Sequence, residues 1–479
     1  MKKEGIIALI VVLGLAAIGS GVYFFGDFNG GEVPEPLPKP PEIPEVPPEL
    51  PEQPEPDPEK LNVIVIYVDD QRWDTMWVMP HTNRLLGDEG ITFENSFITN
   101  PLCCPSRASF LSGGYTPINT NVLSNHLPNG GALKFKDDEN LGVLLQKEGY
   151  KTAMIGKYLN DYDLMIPHIP PGWDTFLATG KGNWLDFEIV EGSTNPRNSE
   201  QGEITEHSQY LTYYIRDRSL DFIEENRRKP FFLYVAPKAP HAPATPAPED
   251  VGKYADYVYD SPNFKEEDMS DKPEHIQEKK GKEPGKEAFI IKQLESMQAV
   301  DRMVRDIYEK LEEEGILDRT IIVYSSDNGM HWGEHWLTSK GKPYEESIKV
   351  PLIIRMPDGE KATRKQLVAV NLDIPQTALA IAGSGKNTDG LDLTPLLEGN
   401  NANWRSGLDL QSWQKREEKA PGWAVWRTNR YKYVEHSSGE REFYDLQNDP
   451  YELESLHEDS EFKEMMDRFS RKMSPGVWA

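Results

Sequence analysis

The chain has 479 residues, with 52 Lys and Arg against 79 Asp and Glu, a formal net charge of −27, and only two cysteines. Two cysteines exclude a disulfide-stapled scaffold and a cysteine-rich zinc module. The acidic balance excludes a nucleic-acid-coating protein, which needs a basic face, although a locally positive pocket can still take an anion. The length suits one large α/β unit with a smaller companion.

At the N-terminus, Lys2 and Lys3 precede an apolar run over residues 6–25, long enough at about 20 residues to cross a bilayer as a helix. The positive start predicts a cytoplasmic N-terminus and an exported body. Residues 1–30 therefore read as a signal anchor, with a cleaved signal peptide as the alternative. Within residues 31–60, proline recurs from Pro34 to Pro58, interleaved with glutamate. Proline has no donor for a helix or a ladder, so the tract reads as an extended linker of roughly 75 Å at about 3.1 Å per residue. It would hold an extracytoplasmic body away from a membrane, or precede a secreted one if the segment is cleaved.

The body is expected to span 61–400. The continuous apolar run at 62–68 reads as a strand buried on both faces and ends in Asp69-Asp70. Similar runs follow at 152–155, 231–235 and 320–324. Helical patterns separate them at 141–147, 220–225 and 289–314. This alternation predicts a doubly wound, mostly parallel α/β sheet flanked by helices, with functional residues at the carboxyl ends of its strands. Residues 249–286 are polar and charge-rich and read as a surface insertion. Residues 401–479 read as a C-terminal α+β subdomain. Its short antiparallel strands are expected at 424–427, 431–435 and 442–444, with a helix near 461–473.

Two strand ends carry oxygen donors: Asp69 and Asp70 after the first strand, Asp327 and Asn328 after the run at 320–324. If those strands are neighbours, three carboxylates and an amide converge into a hard oxygen site suited to Ca²⁺ or Mg²⁺. Between them in sequence lies Pro101-Leu-Cys-Cys-Pro-Ser-Arg-Ala-Ser-Phe-Leu-Ser-Gly113. Pro105 suits the first turn of a helix, which puts Cys103 at or just before a helix N-terminus, where an anion is favoured. Taken alone, the Cys-Cys pair also reads as a vicinal disulfide or as two buried thiols.

The order Cys103-x-Pro105-Ser106-Arg107, with Leu111-Ser112-Gly113 after it, resembles the signature of the type I sulfatases, a formylglycine-dependent branch of the alkaline-phosphatase-like superfamily. Gly156-Lys-Tyr-Leu-Asn160 and Pro170-Pro-Gly-Trp173 resemble blocks of the N-acetylglucosamine-6-sulfatases and glucosamine endosulfatases. Pro240-His-Ala-Pro243, Ser326-Asp-Asn-Gly329, and Lys340 with Tyr344-Glu345 resemble further family blocks, as do 389–397 and 443–450. The likeness spans about residues 60 to 470.

The resemblance implies that a separate formylglycine-generating enzyme oxidises Cys103 to Cα-formylglycine. It implies that the hydrate attacks sulfur, forms a sulfate ester, and expels sulfate through its second hydroxyl. It also implies Asp69, Asp70, Asp327 and Asn328 as metal ligands, with Ca²⁺ favoured over Mg²⁺. Arg107 would stabilise the hydrate, His241 would bind or protonate the sulfate side, and Lys340 would bind a sulfate oxygen, with Lys342 as a nearby competitor. His331 and His335 follow the metal motif as weaker candidates. The implied activity is hydrolysis of a sulfate ester on a sulfated sugar or polysaccharide. A phosphodiesterase or phosphonate monoester hydrolase of the same superfamily is one alternative, and a non-catalytic sulfated-glycan-binding protein is another. Two positions depart from the pattern. Gly114 stands where the family carries Lys or Arg, and 115–122 lacks the family's histidine. His126 and Lys157 are the replacements the sequence offers.

Overall fold

The computed structural model describes residues 60–115, 120–194, 200–282, 287–400, 404–413 and 421–473. The apolar run at 6–25 and the proline-glutamate tract lie outside the described residues. Among the described residues no helix is long and apolar enough to cross a membrane.

In chain order the strands are β1 (Asn62–Val68), β2 (Ile91–Phe97), β3 (Lys151–Gly156), β4 (Thr175–Gly182), β5 (Asp186–Ser193), β6 (Glu200–Ser208), β7 (Phe231–Ala236) and β8 (Thr320–Ser326). The two-residue β9 (His331–Trp332) and β10 (Thr338–Ser339) follow, then β11 (Leu352–Arg355), β12 (Ala362–Ala369), β13 (Leu408–Ser412), β14 (Trp423–Arg427), β15 (Tyr431–His436) and β16 (Arg441–Asp445). Ten of them form one sheet in the order β12-β2-β11-β8-β1-β7-β3-β4-β5-β6. From β8 to β4 the pairings are all parallel. The flanks are antiparallel where β11 meets β2 and β8 and where β4, β5 and β6 form a meander.

Every residue of β1 is buried, because alternate side chains enter different cores. Val63, Val65 and Tyr67 join the layer that contains the helices Cys103–Ser112, Leu141–Lys147 and Val370–Ile381. Ile64, Ile66 and Val68 join the layer that contains the helices Leu211–Asn226 and Glu287–Glu313. This burial on both faces is the physical reason the strand is a continuous apolar run rather than an alternating one. The helix Leu211–Asn226 is longer than the stretch legible at 220–225. Its polar face is dense in charge, yet Leu211, Tyr214, Ile215 and Phe222 are buried.

The register fixes the site. Val68 pairs with Ser326, so the residues that follow, Asp69-Asp70 and Asp327-Asn328, leave the sheet side by side. Gly156 pairs with Ala236, which brings Lys157 and the loop after β7 to the same edge. Backbone bonds tie these ends together: Asp327 N donates to Val68 O at 3.1 Å, Asp69 N to Ala239 O at 3.2 Å, and Lys157 N to Ala236 O at 2.7 Å.

The small sheet contains β13 to β16, one strand more than the sequence pattern indicates, all antiparallel. Leu408, Leu410, Trp423, Val425 and Val434 pack against Phe97, Ile348, Leu367 and Leu372 of the large unit. The C-terminal helix is confined to Lys463–Ser470. The surface insertion expected at 249–286 is exposed over most of its described residues, 249–282, but it is anchored by a few buried side chains. Asn263, Glu266, Met269, Lys272 and Ile276 are buried. Lys272 Nζ is fully enclosed, with ion pairs to Asp271 at 2.7 Å and Glu266 at 3.3 Å and a bond to Leu453 O at 3.1 Å. Polar composition disguised these anchors, because the buried charges are paired with one another.

Candidate active site

Cys103 opens the helix Cys103–Ser112. Leu102 before it is extended, and its carbonyl accepts the amide of Ser106 at 2.9 Å, which closes the first turn. The free amide of Cys104 is taken by Asn125 Oδ1 at 3.0 Å. Both cysteines are free, buried thiols, so no vicinal disulfide forms. Cys103 Sγ donates to Asp69 Oδ1 at 3.2 Å, and Lys340 Nζ lies 2.6 Å from it. Burial, and then the charge of Asp69, push the Cys103 thiol well above its ordinary range. As a thiol it is thus a poor source of thiolate, the opposite of an activated cysteine.

Around it, ligand atoms of Asp69, Asp70, Cys103 and Asp327 all lie within 4.8 Å of one another. Asp70 N donates to Asp327 Oδ1 at 3.1 Å, and Asn328 Nδ2 donates to Asp70 Oδ1 at 2.7 Å. Asn328 Oδ1 is buried with no hydrogen-bond partner. His241 joins Asp69 and Cys103 in an overlapping group, but three carboxylates and an orphaned amide oxygen fit a hard divalent cation.

Each carboxylate also has a cationic neighbour. Lys157 Nζ is 2.6 Å from Asp69 Oδ2, Arg107 Nε is 2.8 Å from Asp327 Oδ2, and Lys340 Nζ is hydrogen-bonded to Asp70 Oδ1. Burial would raise the Asp69 pKa, but Lys157, His241, Lys340 and Arg107 together hold it well below the usual carboxylate range. At Asp327 burial prevails, and with Asp69 nearby it raises the pKa despite Arg107.

Arg107 is enclosed completely. Besides Asp327 it donates to Lys157 O at 3.0 Å, Tyr234 Oη at 3.2 Å and Val68 O at 3.3 Å. Its guanidinium sits 5.5 Å from the ring of Tyr67, whose hydroxyl is bonded to Ser106 Oγ at 3.0 Å. Four of its five N–H donors are thus engaged around Asp327 and the strand ends. His241 Nδ1 donates to Ala242 O at 2.8 Å, which leaves Nε2, 3.9 Å from Asp70 Oδ2, turned toward the cluster.

Lys340 rather than Lys342 reaches Cys103. Lys342 is pushed down to about 8 by burial and by Lys279. His331 and His335 are buried away from Sγ: His331 Nδ1 faces Ser339 O, and His335 Nδ1 is 2.5 Å from Glu266 Oε2. His126 is exposed and paired with Asp161 at 2.6 Å. Gly114 follows the far end of the signature helix, about 15 Å from Cys103 at 1.5 Å per residue. The site's additional cation is instead Lys157, just after β3, one of the two replacements the sequence offers.

The comparisons with known proteins give the family. The sulfatase family model matches residues 61–384. The chain belongs to the sulfatase family. A second model, described as the C-terminal region of N-sulphoglucosamine sulphohydrolase, matches residues 333–476 of this family member. It is 32% identical over 372 residues to an N-acetylglucosamine-6-sulfatase of Homo sapiens, covering 72% of the chain, and it spans 66% of that relative's length. An N-acetylglucosamine-6-O-sulfatase of Bacteroides thetaiotaomicron is 27% identical, with 85% of each chain covered. Among solved structures, BT4656 in complex with its substrate D-glucosamine-2-N,6-O-disulfate superposes with a TM-score of 0.75 at 25% identity, covering 86% of this chain and 97% of the other. A phosphonate monoester hydrolase of Agrobacterium radiobacter also shares the fold, with a TM-score of 0.66 at 22% identity, covering 86% of this chain and 94% of the other. The fold alone therefore does not choose between sulfate and phosphonate esters.

Proposed function

We propose that this chain hydrolyses a sulfate ester on a sulfated sugar or polysaccharide. In this reading Cys103 is converted to formylglycine by a formylglycine-generating enzyme, and Asp69, Asp70, Asp327 and Asn328 hold Ca²⁺, with Mg²⁺ as the second choice. The observation that carries the reading is the placement of Cys103 at a helix N-terminus, with Lys340 2.6 Å from its Sγ and three carboxylates around it.

In its modified state position 103 supplies a hydrated aldehyde, with one hydroxyl to attack sulfur and a second to expel sulfate. A bound divalent cation supplies Lewis acidity and adds positive charge to a site where three carboxylates already face three cations. The chain's own groups do the rest. Lys340 lies against position 103, where a point charge can bind an oxygen of the transferred group. Lys157 keeps Asp69 ionised, and Arg107 fixes Asp327. His241 Nε2 faces the cluster from a side chain that is still part exposed, which suits a group that passes a proton to the departing oxygen. The names of the relatives favour a 6-O-sulfated amino sugar as substrate. In this reading residues 1–30 anchor an extracytoplasmic enzyme to a membrane, or are cleaved as a signal peptide to leave it secreted, with residues 31–60 as the linker.

Peptide mass spectrometry across residues 101–107, on protein from its native host, tests the reading together with turnover of an aryl sulfate and of a phosphate diester. The expected result is an aldehyde or its hydrate at 103, faster sulfate than phosphate release, and loss of both with Cys103→Ala. Full activity in protein that carries only the thiol would overturn the mechanism. Preferential cleavage of the phosphate diester would favour the phosphonate-type alternative.

A further inference from the structure

Three carboxylates around Cys103 have cations of their own, namely Lys157, Lys340 and Arg107. Lys238 stands beside them without a counter-charge. It lies two residues past β7, its carbonyl accepts the amide of His241 at 2.9 Å, and the carbonyl of Ala239 accepts the amide of Asp69 at 3.2 Å. Gln293 Nε2 holds Pro240 O from the other side at 3.1 Å. The backbone of Lys238 is thus fixed between the end of β1, Lys157 and His241. Its side chain is half-buried, and among the described residues its ammonium has no hydrogen bond or ion pair. Burial lowers its proton affinity, with Asp69 opposing and Lys157 reinforcing the effect.

The place of the group being transferred is already bracketed. Lys340 contacts Cys103 directly, and Lys157 contacts it through Asp69. Lys238 touches neither Cys103 nor a carboxylate, and it reaches solvent. A partly desolvated cation that has no ion pair of its own and whose backbone is held beside Asp69 and His241 is stabilised by an anion that arrives with the ligand.

We infer that Lys238 is a specificity-determining residue that takes a second oxyanion of the substrate, a sulfamate or carboxylate near the ester being cleaved. This rests on the sulfatase reading above and adds to it a preference for multiply charged sugars.

The test compares glucosamine-2-N,6-O-disulfate with glucosamine 6-sulfate, using the full modified enzyme and its Lys238→Gln and Lys238→Arg variants. Lys238→Gln is expected to raise KM for the disulfate about tenfold with kcat within about twofold, a penalty at least about fivefold larger than for the monosulfate. Lys238→Arg should recover most of the loss. Equal penalties on the two sugars, or a loss confined to kcat, would overturn the assignment. Calorimetric binding of the same sugars to the Cys103→Ala protein, with and without Lys238→Gln, needs no turnover. A disulfate preference that disappears with Lys238 supports the proposal even if no ester is hydrolysed, and its absence refutes it. Failure of the unsubstituted enzyme to turn over either sugar counts against the hydrolase reading instead.

Discussion

Arg107 illustrates what a single residue does in this site. A guanidinium with no solvent exposure is tolerated because its planar fork meets Asp327, two backbone carbonyls and Tyr234 at once. Removing one member of such a pair leaves the other charged, buried and alone, which destabilises by about 3–5 kcal/mol, whereas removing both relieves much of the penalty. Arg107→Gln is therefore expected to lower the urea-unfolding free energy by about that amount, and Arg107→Gln with Asp327→Asn by clearly less than the sum of the singles. Additive losses would show that the pair is not coupled. At the metal candidates the expectation differs. Asn328→Ala removes an oxygen donor that no protein group uses, so calcium affinity measured by calorimetry should fall by about tenfold or more. The unfolding free energy of the ion-free protein should also fall, by about 1–3 kcal/mol, because the bond from Asn328 Nδ2 to Asp70 Oδ1 is lost with the same side chain. An unchanged calcium affinity would remove Asn328 from the ligand set.

At the scale of elements, the segment after Lys340 is held by the small sheet rather than by its own secondary structure. Trp423 Nε1 of β14 donates to Gly341 O at 3.0 Å, Lys432 Nζ of β15 to Pro343 O at 2.8 Å, and Tyr344 Oη to Glu442 Oε2 of β16 at 2.8 Å. Arg427 pairs with Glu345 at 2.9 Å. Burial would raise the pKa of Glu442, but bonds from His436, Tyr444 and Tyr344 hold it down at about 2. A carboxylate with a depressed folded pKa stabilises the fold above its unfolded value, near 4.3, and loses that contribution as pH falls toward 2. The contribution is on the order of 3 kcal/mol. Unfolding midpoints measured from pH 6 to 2.5 should accordingly fall more steeply for the parent protein than for Glu442→Gln, and parallel curves would refute the linkage. This tether also marks the limit of what the sequence discloses. The buried parallel strands, the Cys103 helix and both acid pairs were legible, because burial on two faces leaves unbroken apolar runs and the acid pairs follow those runs directly. β13, the β5–β6 meander, the buried anchors within 249–282 and the pairing of Lys157 were not. Their positions are settled by pairing between distant segments, such as Lys272 with Leu453 or Lys157 with Asp69, and no local periodicity records that.

For the whole molecule, the formal charge of −27 opposes the approach of a polyanionic sugar, while the pocket around Cys103 holds Lys157, Lys340 and Arg107, with His241 beside them. The two effects act over different distances. Repulsion from the surface extends over the Debye length, about 30 Å at 0.01 M salt and about 10 Å at 0.1 M, whereas contacts in the buried pocket are short and far less screened. Added monovalent salt should therefore remove the long-range barrier before it weakens the short-range attraction. The expected profile for a polysulfated polymer is a several-fold rise in kcat/KM between about 0.01 and 0.1 M NaCl, followed by a decline at higher salt. For p-nitrophenyl sulfate, a monoanion, the change over the same range should stay within about twofold. A steady decline from the lowest salt upward for the polymer would mean that the local field of the pocket dominates at all distances, and that the surface charge plays no part in selecting what reaches Cys103.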